Sequence, residues 1–220
     1  MIDVFDLQGL SSYSETLERQ RDLFQRMVRA KKDGEAYDRE YVFLVQHSPV
    51  ITLGRHAKES NLLYSEEALR ERGVECHRIE RGGDVTFHGP GQLVVYPLID
   101  LEKHHLGVKA YVDLLEEAVI LTLRHYGITG ERVEGASGVW IGAGTPSERK
   151  ICAVGVKCSR FITMHGLALN VNTDLTYFSL INPCGFTDRG VTSMEKELGA
   201  PVDFSELKKL FSTHLLELLK

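Results

Sequence analysis

Apolar runs at strand spacing and at helical spacing intermix along this chain without strict alternation, and that order constrains the fold more than any other feature. Regular βαβα order would point to a parallel sheet covered on both faces; mixed order points to a mixed sheet with helices packed on it. Ile2 to Leu7 alternates as a strand. Ser12-Tyr13-Ser14-Glu15 forms a capping box, Leu17, Phe24 and Val28 follow at helical spacing, and Gly34 supplies the stop. Tyr41 to Gln46 and Val50 to Leu53 read as strands around a Ser48-Pro49 turn. Ser65 to Arg72 reads as a short helix closed by Gly73, and Val74 to Ile79 as a strand. Leu93 to Tyr96 is strand-like, and Lys109 to Tyr126 is a helix ending at Gly127. Val139 to Ile141, Ile151 to Lys157 and Leu167 to Val171 read as strands, and Asp203-Phe204-Ser205-Glu206 caps a last helix. The expected class is α+β (α/β mixed), with residues 1–220 forming a single domain of one mixed sheet flanked by helices.

The chain's 220 residues, 43% hydrophobic and 26% charged, are those of an ordinary globular protein that needs no staples. A net charge of −5 argues against general nucleic-acid binding. No run approaches the roughly 20 apolar residues that cross a bilayer, and the first residues carry two acids and no basic stretch, unlike a signal peptide. A cytoplasmic protein with no membrane association is expected. Nothing in the pattern demands more than a monomer.

The densest local signal is Arg81-Gly82-Gly83-Asp84-Val85-Thr86-Phe87-His88-Gly89-Pro90-Gly91-Gln92, in which five of twelve residues are glycine or proline. Glycine lets backbone approach a ligand and expose its N–H groups, and Pro90 stiffens the run. It is neither a phosphate loop nor a dinucleotide loop, since the lysine and the helix-opening glycine pattern are missing. On composition alone it is an irregular segment, a tight structural turn or the wall of a channel for a flexible apolar substrate. Arg81 and His88 favour the wall.

The four cysteines are Cys76, Cys152, Cys158 and Cys184. They are too scattered for a disulfide framework, and with His165 they match no common zinc spacing, so no metal is expected. Cys76 and Cys152 lie in apolar strands and read as buried thiols, Cys158 at a strand end is ambiguous, and Cys184 sits in a Pro183-Cys184-Gly185 turn that would present it to a ligand. An ordinary thiol needs a base or a cation nearby to react at neutral pH. His88, His165 and Lys150 are all candidates, and sequence physics does not choose among them.

These residues also resemble a known family. Arg81 through Tyr96 is similar to the signature of the octanoyltransferases, or lipoyl(octanoyl) transferases. The likeness continues through Gly138-Val139-Trp140, Arg149-Lys150-Ile151-Cys152-Ala153-Val154-Gly155, His165-Gly166-Leu167-Ala168-Leu169-Asn170, Pro183-Cys184-Gly185 and Val191-Thr192-Ser193. This ordered set covers nearly the whole chain. The resemblance implies the fold of the biotin and lipoate protein ligase catalytic domain. It implies Cys184 as the nucleophile that carries an acyl thioester and Lys150 as the lysine that lowers its pKa and moves protons. It implies an acyl site built from Arg81, Gly82, Gly83, Asp84, Val85, Thr86, Phe87 and His88, from Ala153, Val154 and Gly155, and from Gly166, Leu167 and Ala168. One departure is Glu148, where many members have glycine before the Arg-Lys pair.

The implied reaction is the first step of endogenous protein lipoylation. Octanoyl would pass from octanoyl-acyl carrier protein, which carries it on phosphopantetheine, to a lysine of lipoyl domains of 2-oxoacid dehydrogenase complexes and of the glycine cleavage H protein. Thioester chemistry would drive it, with no ATP and no metal as cofactors. Carrier proteins and lipoyl domains are acidic, so docking would use a local basic patch, for which Arg55, Lys58, Arg149, Lys157 and Arg160 are candidates. The rivals are an ATP-dependent lipoate or biotin ligase, which would need no cysteine, a related amidotransferase that moves octanoyl between proteins and has its cysteine elsewhere, and a non-catalytic acyl-binding module.

Overall fold

The computed structural model describes residues 1–182 and 190–220. Strand β1 (Ile2–Ser11) runs into helix α1 (Tyr13–Asp33), and β2 (Glu40–His47) returns parallel to β1. Half of the predicted capping box forms: the Ser12 side chain accepts from Glu15 N, without a return bond from Ser12 N to the Glu15 carboxylate, and Gly34 ends the helix in the left-handed region at φ 72°. β3 (Val50–Leu53), α2 (Glu66–Glu71), β4 (Glu75–Arg78) and β5 (Val85–His88) come next, followed by β6 (Gln92–Leu98) and α3 (Val108–His125). The remaining elements are β7 (Glu131–Val133), β8 (Ala136–Ile141), β9 (Arg149–Ser159), β10 (Ile162–Asn170), β11 (Gly190–Val191), α4 (Met194–Leu198) and α5 (Phe204–Leu218).

Among the described residues the large sheet runs β1-β2-β6-β10-β9-β8-β7, with β11 parallel to the start of β9. It is mixed, with β1 parallel to β2 and the central β2-β6-β10-β9 ladder antiparallel. Alternation along the central strands feeds two cores. Val42, Leu44, Leu93, Val95, Leu167 and Leu169 face α3 and α5 and pack with Leu115, Val119, Leu123, Phe211 and Leu215. Phe43, Val45, Val94, Tyr96 and Ala168 face α1 and pack with Tyr13, Leu17, Phe24 and Met27. Each such side chain, fully buried, contributes about 1.5–3 kcal/mol by removal from water.

The structure differs from the one-sheet expectation. β3 leaves the large sheet after the Ser48-Pro49 turn and forms a second, three-stranded sheet in the order β4-β3-β5, with its own core of Ile51, Leu53, Leu69, Val74 and Phe87. The segment read as irregular over 81–91 therefore contains a strand, because the partner β3 supplies the ladder that composition does not reveal. β9 and β10 are also longer than their apolar cores, starting at Arg149 and Ile162. No helix among the described residues is long and apolar enough to cross a membrane.

Candidate active site

A cavity of about 500 Å³ opens between the α1-side face of the large sheet and the segment leading into β5. That is within the ordinary size range of ligand pockets. Arg81, Gly82, Gly83, Asp84, Val85, Thr86 and His88 form one wall. Ala153, Val154 and Gly155 of β9 and Gly166, Leu167 and Ala168 of β10 form the floor, and Lys150 stands at one end. Three segments far apart in sequence thus meet around one space. Their closeness has a backbone cause: Gly82 N donates to Val156 O at 2.9 Å, and a Cβ on Gly155 would lie 2.9 Å from Gly82 O. A larger residue at 155 would push the wall off the floor. Phe87 is the exception in its segment. It points to the opposite side of β5, where it stacks on Tyr177 at 4.6 Å in the core of the small sheet. Strand alternation turns it away from the cavity that Thr86 and His88 line.

Lys150 reaches the cavity through a β-bulge. Val139 pairs with Cys152 and the next residue, Trp140, pairs with Lys150, so β9 carries one residue more than β8 over this step. Ile151 and Cys152 both bury in the α3-side core. Strict alternation back from Gly155 and Ala153 would put Ile151 at the cavity; the extra residue resets the phase and puts Lys150 there instead. The Lys150 ammonium donates to Ser137 O at 3.1 Å and lies 4.5 Å from the centre of the Trp140 ring.

Arg81 is buried, with its guanidinium donating to Thr52 O, Thr52 Oγ1 and Gly82 O. It is a fixed positive charge in the wall. His88 Nδ1–H donates to Gln92 Oε1 at 2.8 Å, because the Gln92 amide nitrogen already donates to Phe87 O and Asn170 Oδ1. Asn170 in turn donates to Thr192 O, and Thr192 N donates to Lys150 O. This relay ties the His88 wall to the strand bearing Lys150. Burial, helped by the charge of Arg81, lowers His165 to about 3; burial, then neighbouring His47, lowers His88 to about 3. Both histidines are neutral at physiological pH and weak bases.

The three described cysteines lie outside the cavity lining. Burial pushes Cys76 up to about 11 and raises Cys152 and Cys158, so all three stay thiols at neutral pH. Cys184 lies outside the described residues. The chain on either side of it is anchored at the cavity. Asn182 N donates to Asn61 O at 2.8 Å, and Asn61 Nδ2 donates to Asp84 Oδ2 at 2.6 Å. On the far side, Gly190 and Val191 pair with Arg149 and Lys150, and Val191 lines the cavity. Glu148 accepts from Gly144 N at 2.9 Å, across its own turn.

Sequence reasoning did not single out Asn61, Tyr13, Ser137 or Asn170 as site residues. Asn170 carried a signal, a buried amide ending an apolar strand; Asn61 carried none. Of the basic residues expected at a docking patch, Arg149 is held by both oxygens of Glu197 at 2.7 and 2.5 Å, and Lys157 is 3.7 Å from Glu80. Arg55, Lys58 and Arg160 are exposed and make no ion pair among the described residues. No group of three or more metal-ligating side chains occurs among those residues.

Comparison with known proteins fits this geometry. Residues 12–216 match the lipoyl protein ligase A/B catalytic domain. The chain is 54% identical over 208 residues to an octanoyltransferase of Parabacteroides distasonis, covering 92% of this chain and 94% of that one. It is 52% identical over 210 residues to an octanoyltransferase of Bacteroides fragilis, covering 96% and 95%. Among solved structures, a lipoate-protein ligase A bound with ATP superposes with a TM-score of 0.70 at 16% identity over 98% of this chain and 84% of that one, a likeness of fold. With a family match across most of its length and relatives at this identity, the chain is an acyltransferase that belongs to the octanoyltransferases of the lipoyl protein ligase A/B catalytic-domain family.

Proposed function

We propose that the enzyme moves an octanoyl group from the phosphopantetheine arm of acyl carrier protein to a lysine of a lipoyl domain, through a thioester on Cys184. The observation that carries this reading is the bulge that aims Lys150 into a cavity walled by 81–86 and His88, with Val191 paired to Lys150 and Asn182 tied to the same wall. Burial makes His88 and His165 poor acceptors of a thiol proton at neutral pH, and the position of Lys150, on the strand that pairs with Val191, supports it as the proton acceptor.

Cys184 would pass its proton to Lys150, or the two would rest as thiolate and ammonium; the pair titrates together. The thiolate attacks the donor carbonyl, and backbone N–H groups lining the cavity stabilise the oxyanion. Collapse breaks the bond to the pantetheine sulfur, which leaves as a thiol with the proton from Lys150. The acceptor amine then attacks the Cys184 thioester, gives up its proton to Lys150, and leaves as the octanoyl amide while Cys184 regains a proton. From Lys150 to Val156 the β9 floor runs roughly 20 Å at strand rise. An extended eight-carbon chain covers about 9 Å of that, which leaves length for the end of the carrier's arm. The acceptors are lipoyl domains of 2-oxoacid dehydrogenase complexes and of the glycine cleavage H protein, and neither ATP nor metal takes part.

Initial rates with octanoyl-acyl carrier protein and unmodified lipoyl domain, without ATP, test the scheme. Parallel double-reciprocal lines are expected of a ping-pong route. Intersecting lines, or product formed only from free acid and ATP, would overturn it.

A further inference from the structure

Glu116 lies on α3 and is 4% exposed, yet it carries a carboxylate that no step above uses. Burial raises its pKa, so the site works against the charge it holds. Its Oε1 accepts from Gly138 N at 2.7 Å and its Oε2 accepts from Arg132 Nε at 3.1 Å. Arg132 needs no buried partner, because it also donates to exposed-side Glu117 at 2.8 Å. The distinctive contact of Glu116 is therefore the one to Gly138.

Gly138 sits at φ +120°, and a Cβ there would lie 2.3 Å from Cys152 O and 3.5 Å from Lys150 Cδ. The β8 backbone at this point thus lies directly against the bulge and against the Lys150 stem. One residue before it, Ser137 O accepts from the Lys150 ammonium; two residues after it, Trp140 presents its ring to the same ammonium. Glu116 fastens the peptide unit that carries the Ser137 carbonyl, two residues before the Trp140 ring. We infer that Glu116 is a positioning residue for Lys150, fixing through Gly138 N–H the stretch of β8 whose Ser137 carbonyl and Trp140 ring set the ammonium at the cavity wall. The inference rests on the role proposed above for Lys150.

Steady-state kinetics with octanoyl-acyl carrier protein separate positioning from mere support. Glu116→Gln keeps an acceptor oxygen for Gly138 N and is expected to retain kcat within about threefold, whereas Glu116→Leu removes the acceptor and is expected to lower kcat by roughly 10- to 100-fold. Glu116→Asp keeps the charge but draws the oxygen back from Gly138, and is expected to fall in the same direction; it serves if the leucine variant does not fold. KM for the carrier should change little in each. Arg132→Ala, which removes the ion pair and leaves the Gly138 bond, should lower the melting temperature while keeping kcat. The inference is overturned if Glu116→Asp and any folded Glu116→Leu match wild type, if Glu116→Gln falls as far as they do, or if Arg132→Ala loses as much kcat. Lys150→Ala is the control for the underlying reading: if it acylates at the wild-type rate, the role of Lys150 fails rather than that of Glu116.

Discussion

One extra residue in β9 decides which side chain faces the cavity. Ile151 and Cys152 share the core face, and Lys150 is brought onto the cavity face. Around it burial keeps three histidines, His47, His88 and His165, uncharged at neutral pH. Burial lowers His47 to about 4, where Nδ1–H donates to Ser11 O and Nε2 accepts from Tyr96 OH, and it lowers His88 and His165 to about 3. Their ordinary value is 6.5, so between 6.5 and 3 the unfolded chain binds protons that the folded chain refuses. Stability is full above pH 6.5 and is lost as pH falls through that window. Thermal melts between pH 7.5 and 5 should show the melting temperature dropping with acid. His47→Gln should melt lower at pH 7.5 but with a shallower acid slope, by up to about 1.4 kcal/mol per pH unit; an unchanged slope would contradict the assignment. The sequence made the chemistry of this scale partly legible. It marked Lys150, His88 and His165 as rival bases without choosing, because burial, which separates them, is a property of the folded chain. It also grouped Phe87 with its neighbours, because a contiguous motif hides the alternation of the strand within it.

At the scale of elements, α1, α2, α3 and α5 were readable from local spacing, whereas the short α4 and the pairing of strands were not. The Ser12 and Asp203 caps form as their sequences predict. The bulge, the β3-β5 ladder and the bridge from Leu62 to Ile181 depend on partners distant in sequence, which no local pattern encodes. Asn61 shows what that hides. Its backbone oxygen holds Asn182 and its amide holds Asp84, so it joins the segment leading toward Cys184 to the wall of the cavity. Asn61→Asp sets two carboxylates against each other and should lower kcat about tenfold, equivalent to about 1.4 kcal/mol. The double variant Asn61→Asp with Asp84→Asn restores a donor and an acceptor and should recover most of the loss, a coupling read from the four-variant cycle. Additive losses would show that the hydrogen bond does not matter.

For the whole molecule, the large sheet is a platform with α3 and α5 behind it, and α1 and the small sheet in front enclosing the cavity. With a net charge of −5, the proposed docking of an acidic carrier falls to local features. Arg55 and Lys58 are exposed and close in sequence to His56, which lines the cavity. Arg55→Glu with Lys58→Glu should raise KM for the carrier several-fold at low salt, with the difference from wild type shrinking as salt rises past a Debye length of about 8 Å. Equal KM at low salt would move docking elsewhere. The central claim is the acyl-enzyme on Cys184, and intact-protein mass with peptide mapping addresses it directly. After rapid quenching from octanoyl-acyl carrier protein without ATP, wild type should carry one octanoyl group on the peptide containing Cys184 and lose it when lipoyl domain is added. Transfer to the lipoyl domain at the wild-type rate by Cys184→Ala, with no adduct at any time, would contradict the account.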